Sequence, residues 1–254
     1  MKISTIMVCY NSEETIAGAI ESFLAQTYRD KELVLIDGKS TDSTLEIIQS
    51  FLEPGLKVFS EKDAGIYDAM NKGLSLFSGD AFGFLNSDDR YSHPNVLSKV
   101  VESLNTADIV SGHIQYCRNH TAEPINQTRI WKSSPFSIGS FKKGWIIPHP
   151  ATYAVRQVYD CVGNFDTSYK IAGDYEWILR TLEVNNFSHG VIDDIIVDMK
   201  LGGASTSGVR ALLTNSLEPL RARRKWLNSG VIDAAIFYNV IRKLAQLRPM
   251  GMRR

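Results

Sequence analysis

The stretch FLNSDD, residues 84–89, ends an apolar run in two adjacent carboxylates, Asp88 and Asp89. Such a pair at a strand tip repels itself unless a cation lies beside it. A hard divalent ion, Mg²⁺ or Mn²⁺, suits two carboxylates, with a diphosphate supplying further oxygens. A solvated turn, or a cap ahead of His93-Pro94, is the competing reading. IDGKSTDST (36–44) puts Asp37 at the end of a second apolar run. Its carboxylate can accept hydrogen bonds from a nucleobase or a ribose, and Thr41 or Asp42 caps the helix that follows. SEKDAGIYDAMNKG (60–73) brings Asp63 and Gly65 to a similar position after a third run. Lys72 lies two helical turns further on, where it also reads as a solvated lysine. GDYEW (173–177) sets Asp174 at a helix start, as a cap or as a base. His149 stands between Pro148 and Pro150, a constrained setting that can point it into a cleft; a structural imidazole is the alternative.

These residues need a scaffold, and the apolar pattern supplies one. ISTIMVCY (3–10), ELVLID (32–37), LKVFSE (56–61) and DAFGFLN (80–86) read as strands, the first two apolar enough to be buried on both faces. Helical spacing fills the intervals: Ile16 to Leu24 after an Asn11 or Ser12 cap with acidic residues in the first turn, then TLEIIQSF, then IYDAMNKGLSLF. Strands alternating with helices predict an α/β fold with a mostly parallel sheet and right-handed crossovers. Ligands of such sheets bind beyond the carboxyl ends of the strands. Those ends are Tyr10-Asn11, Asp37-Gly38, Glu61 to Asp63 and Asn86 to Asp89, a polar and acidic rim. Beyond residue 107 the alternation weakens. ADIVSGHIQY and VIDDIIVDM read as strands, 118–146 as a polar loop region, 201–208 as a flexible loop, and 210–227 and 230–248 as helices.

Composition narrows the class. The 254 residues are 44% hydrophobic, with formal net charge zero, and the three cysteines are widely spaced with no CxxC pair. Reduced thiols and a cytoplasmic location are expected. No apolar stretch approaches the ~20 residues of a membrane-spanning helix, and the apolar N-terminal run is too short for a signal sequence. Charge is unevenly spread: residues 210–254 hold ten basic side chains against Glu218 and Asp233, so 1–209 carry the balancing negative excess. The apolar side of IDAAIFYNVIRKLAQL (232–247) can pack on the body, form a homodimer or lie on an anionic membrane face. Neither a P-loop nor a GxGxxG is present. A nucleotidyltransferase needs a Gly-rich basic loop after the first strand, where this chain has YNSEET.

In order, TIMVCYN, Gln26-Thr27-Tyr28, IDGKSTDST, SEKDAGIYDAMNKG, FLNSDD and KIAGDYEW resemble the glycosyltransferase family 2 group of inverting sugar transferases. The resemblance spans roughly residues 1–208, most strongly 1–90. It implies a GT-A fold, a Rossmann-like sheet flanked by helices, with residues 1–106 as the nucleotide-sugar half and 107–208 as the acceptor half. Residues 209–254 then form a helical, basic C-terminal extension. The carried-over roles are nucleotide-sugar contact for Tyr10, Asn11, Asp37, Asp63 and Asp88, a Mn or Mg ion held by Asp88 and Asp89, and general-base catalysis by Asp174. From their own positions Gly65 and Lys72 are added as nucleotide-sugar candidates and His149 as the acceptor candidate. Two positions depart from the family pattern: Asn86 replaces the first carboxylate of the DxD metal motif, and Gly38 stands where a second acidic residue often follows the base-binding aspartate. The implied donor is a UDP- or GDP-sugar and the implied acceptor a glycan or lipid-linked glycan of cell-surface polysaccharide synthesis, at the cytoplasm or the inner membrane face. No nucleic-acid partner is expected. A non-catalytic nucleotide-sugar binder or scaffold of a polysaccharide assembly complex is the alternative.

Overall fold

The computed structural model describes residues 1–51, 54–117, 127–201 and 209–228. The first half is an alternation: β1 (Ile3–Cys9), α1 (Ile16–Leu24), β2 (Lys31–Asp37), α2 (Thr44–Ser50), β3 (Leu56–Ser60), α3 (Ile66–Leu76) and β4 (Ala81–Phe84). These strands pair in parallel in the order β3-β2-β1-β4, with Ile3 opposite Lys31 and Cys9 opposite Asp37. Alternate side chains of a strand face opposite ways. Thus Ile3 and Met7 enter a core with Ile20, Leu33 and Leu35, while Ile6 joins Val34, Ile36, Met70 and Leu74 on the other face. Both faces are covered, which is why these strands read as unbroken apolar runs.

The second half is a mixed sheet. After the two-residue β5 (Arg90–Tyr91) and α4 (Val96–Leu104) come β6 (Ile109–Cys117), β7 (Gln127–Trp131), β8 (Thr152–Val155), α5 (Arg156–Val162), α6 (Gly173–Leu179), β9 (His189–Lys200) and α7 (Val209–Leu227). The path continues from β4 through β8, β6 and β9 to β5. β8 is antiparallel to both its neighbours, β4 and β6, whereas β9 runs parallel to β6. β7 extends the β6 edge beyond β8, so part of the span expected as loop is strand.

Two local expectations shift. Helix α1 starts at Ile16 with Thr15 as its cap residue and no acidic side chain in its first turn. Asn11 and Ser12 belong instead to the preceding turn, where the Ser12 carbonyl accepts from the Thr15 and Ile16 N–H groups. Of the basic extension, α7 is described and packs on α6; the expected helix 230–248 and loop 202–208 lie outside the described residues. No helix among the described residues is long and apolar enough to cross a membrane.

Candidate active site

A cleft of ≈ 850 Å³ opens beyond the carboxyl ends of β1 and β4 and is walled by α3, α6 and the end of β9. Tyr10, Asn11, Asp63, Gly65, Asp88, His149 and Asp174 all line it. Asp37, Lys72 and Asp89 do not.

The loop after β1 is laced to its neighbours. Asn11 adopts a left-handed φ of 49°, a conformation that asparagine tolerates better than most residues. Its N–H donates to Ser40 Oγ at 2.9 Å, and its Oδ1 accepts from the Thr41 N–H at 2.9 Å. Ser12 Oγ meets Ser87 Oγ at 3.0 Å, tying this loop to FLNSDD. Tyr10 is left 60% exposed at the rim.

Asp37 is fully buried, and its carboxylate accepts from the Ser40 N–H, the Ser40 hydroxyl and the Ser60 hydroxyl. It holds the β2–α2 turn against β3 and leaves the cleft wall to Asp63. The space that Asp63 takes is the space a side chain at position 38 would need: a Cβ on Gly38 would lie 2.5 Å from Asp63 Oδ2. Asp63 Oδ1 also accepts from the Gly65 N–H at 2.9 Å, and Gly65 opens α3 at φ 129°, a conformation that requires glycine. Lys72 is turned outward. It pairs with Glu61 at 3.1 Å and Asp68 at 3.5 Å and donates to the Lys62 carbonyl, so it braces the segment that carries Asp63.

The two carboxylates of FLNSDD part company. Asp88 lines the cleft with Asn86 and Ser87. Asp89 is 1% exposed and cross-links the loop to β9, accepting from Asn86 Nδ2 at 2.8 Å and from the Lys200 N–H at 3.1 Å. Burial, and secondarily the charge of Asp88, push the Asp89 carboxyl up to about 8. Because its folded pKa lies above the unfolded value, it contributes stability at acid pH that is lost as pH rises from about 4 to about 8. Thermal melts with a chelator present should therefore show wild type losing more stability between pH 5 and 8.5 than Asp89→Asn, by about 1 kcal/mol or more. Parallel pH dependence in the two proteins would show that Asp89 does not titrate in that window.

Among the described residues, no three His, Cys, Asp or Glu side chains converge as a metal site. What the FLNSDD loop offers to the cleft is one carboxylate, Asp88, beside an amide and a hydroxyl. These are hard oxygen donors, too few to enclose an ion alone. They fit Mg²⁺ or Mn²⁺ that takes its remaining ligands from a diphosphate and water.

On the other side, Asp174 occupies the first turn of α6. The Tyr67 hydroxyl lies 2.6 Å from the Ile171 carbonyl and 3.2 Å from Asp174 Oδ1. The Tyr67 ring lies so close beneath Gly173 that an added Cβ would come within 2.8 Å of it. Burial, reinforced by Asp174, raises the Tyr67 pKa, which keeps the phenol protonated as a donor. His149 lies between Phe84, tilted against it at 5.1 Å, and Phe165, edge-on at 6.0 Å, and its buried Nε2 has no hydrogen-bond partner. Burial lowers its pKa against the opposing charge of Asp174, so the imidazole is neutral near pH 7.

Sequence reasoning did not single out Tyr67, Lys170 or Lys200, all of which line the cleft. The first two lie inside motifs quoted for other residues. Lys200 had a signal of its own, since it directly follows VIDDIIVDM, the run read as a strand, and ends β9.

Comparison with known proteins agrees with this geometry. The profile described as glycosyl transferase family 2 matches residues 4–155. An uncharacterized glycosyltransferase of Mycobacterium tuberculosis is 34% identical over 181 residues, which is 70% of this chain and 68% of that one. A PGL/p-HBAD biosynthesis glycosyltransferase of Mycobacterium bovis is 28% identical over 207 residues, 74% of each chain. Among solved structures, Staphylococcus aureus TarS 1-349 in complex with UDP-GlcNAc superposes with a TM-score of 0.71 at 18% identity, over 97% of this chain and 73% of that one. The mannosyltransferase PcManGT of Pyrobaculum calidifontis, in complex with GDP-Man and Mn²⁺, gives 0.67 at 17% identity, over 97% and 69%. Both share the GT-A architecture seen here, a curled α/β sheet flanked by helices. The profile covers more than half of the chain, the curated relatives are named glycosyltransferases, and the acidic cleft lies where the parallel strands end: the chain belongs to glycosyl transferase family 2 and is a sugar-transferring enzyme.

Proposed function

We propose that the protein is an inverting glycosyltransferase that moves a sugar from a UDP- or GDP-sugar to a hydroxyl of a glycan or lipid-linked glycan. The observation that carries this reading is that Asp88, from the β4 end, and Asp174, from α6, line one cleft together with Asp63 and Tyr10. Tyr10, Asn11 and Asp63 form the nucleoside end. Asp88, with Asn86 beside it, would hold a Mg²⁺ or Mn²⁺ ion, whose contribution is to neutralise the diphosphate as it leaves. Lys170 and Lys200 add positive charge to the same cleft. Asp174, aimed by the Tyr67 hydroxyl, takes the proton of the acceptor hydroxyl as that oxygen attacks the anomeric carbon. His149, whose buried Nε2 has no hydrogen-bond partner, is the residue we assign to acceptor contact. One displacement forms the new glycosidic bond and breaks the bond to the diphosphate, so the anomeric configuration inverts. Asp37, Lys72 and Asp89 support this machinery from behind the cleft wall.

The solved neighbours bound to UDP-GlcNAc and to GDP-Man support a nucleotide-sugar donor without choosing the base, and the acceptor class rests on the family resemblance. We read residues 1–106 and 107–208 as the donor and acceptor halves of one domain and 209–254 as an extension. Homodimerisation and contact with an anionic membrane face belong to its basic end. The test is to incubate the protein with UDP-GlcNAc or GDP-Man, Mn²⁺ and a panel of alkyl glycosides, and to read the product by NMR. These α-linked donors should yield β-linked products; retention of the α configuration would overturn the single-displacement reading.

A further inference from the structure

The charge of α7 suggested a surface appendage. Its contacts show something else: they gather on the one segment that carries Asp174. The Glu218 carboxylate accepts three successive backbone N–H groups, Lys170 at 2.8 Å on Oε1 and Ile171 and Ala172 at 2.9 and 2.8 Å on Oε2. Arg221 lies over the Tyr169 ring and donates to Ser168 Oγ at 2.8 Å. Arg223, only 1% exposed, donates to the Tyr175 hydroxyl at 2.9 Å. Trp226 Nε1 donates to Glu176, a fully buried carboxylate, at 2.7 Å. Residues on both sides of Asp174 are thus fixed by side chains of one helix, each more than forty positions from its partner in the sequence.

We infer that Glu218 is a positioning residue for Asp174 and that α7 is part of the catalytic apparatus. The inference rests on the reading of Asp174 as the base. The connection runs through a single residue: Glu218 holds the N–H of Ile171, whose carbonyl accepts from the Tyr67 hydroxyl, and that hydroxyl lies 3.2 Å from Asp174 Oδ1. Both backbone polar groups of Ile171 are therefore committed, one to α7 and one to Tyr67, whose single O–H proton is shared between the Ile171 carbonyl and Asp174. A carboxylate can serve all three N–H groups because it has two acceptor oxygens and no donor. Glutamine has a single acceptor oxygen and turns an NH₂ toward the remaining N–H groups. Without Glu218 these three amides lose their common acceptor, and the start of α6 is free to rotate. Loss of sub-ångström alignment of a base is costly in rate without touching donor affinity.

The test compares wild type with Glu218→Ala and Glu218→Gln as full chains. Hydrogen–deuterium exchange reports on residues 166–176, release of UDP from UDP-GlcNAc or of GDP from GDP-Man with Mn²⁺ reports turnover, and calorimetry gives UDP and GDP affinity. Glu218→Ala should lose amide protection at 170–172 and drop kcat by about 10- to 100-fold, with nucleotide affinity within about two-fold of wild type; Glu218→Gln should fall between. Unchanged kcat, or a fall in nucleotide affinity matching the fall in kcat, overturns the positioning role. Should Glu218→Ala fail to fold, Glu218→Gln decides by the same criteria. The two readings fail separately: Asp174→Asn that retains turnover removes the base, whereas an inactive Asp174→Asn beside a fully active Glu218→Ala removes only the role of α7.

Discussion

Asp174→Asn is expected to lower kcat by about 10³-fold or more, while UDP or GDP affinity stays within about two-fold of wild type. The substitution keeps the shape of the side chain and its place beside the Tyr67 hydroxyl, whose one proton lies closest to the Ile171 carbonyl. What it removes is the ability to take a proton. Tyr10, Asn11 and Asp63, proposed above to meet the nucleoside, follow the β1 and β3 ends and are untouched by a change in α6. Rate and donor binding should therefore separate. Equal loss of binding and turnover would mean that Asp174 supports the structure of the cleft. Wild-type turnover would move the base elsewhere.

The second large effect is expected at Asp88. Titrating UDP and GDP with and without Mn²⁺ should show one nucleotide bound more tightly with the metal, and Asp88→Ala should erase that gain, a loss of about 10²-fold. The donor set makes this prediction sharp. Asn86 contributes no charge and Asp89 is turned away, bonded to Asn86 and to the Lys200 N–H. Asp88 is thus the carboxylate that FLNSDD presents to the cleft, and no neighbour in that loop is placed to substitute for it. Binding that ignores both metal and mutation would assign charge neutralisation to Lys170 and Lys200 instead.

The parallel half of the fold was legible because its strands are buried on both faces, so that ISTIMVC and ELVLID announce themselves as apolar runs between helical periods. The antiparallel insertion was not. β8 is four residues long and follows Pro148 and Pro150; it is a central strand because β4 and β6 pair with its two edges, a fact of tertiary structure. The site divides in the same way. Asp63 and Asp174 follow from strand and helix ends. The fate of Asp37 was decided by Ser60, its direct partner across β2 and β3, and by Ser40 in the turn; neither contact follows from the local pattern. Asp88 and Asp89 are adjacent in a turn, where no period of two or 3.6 says which of them faces the ligand.

A Cβ on Gly38 would fall 2.5 Å from Asp63 Oδ2, so a side chain at position 38 is admitted only if the Asp63 carboxylate turns aside. The crowded atom is the far end of a side chain, and that rearrangement is open to it. Its consequence lies at Asp63, whose other oxygen accepts from the Gly65 N–H. Substitution at Gly38 should therefore be felt at the start of α3, as a loss of amide protection at Gly65.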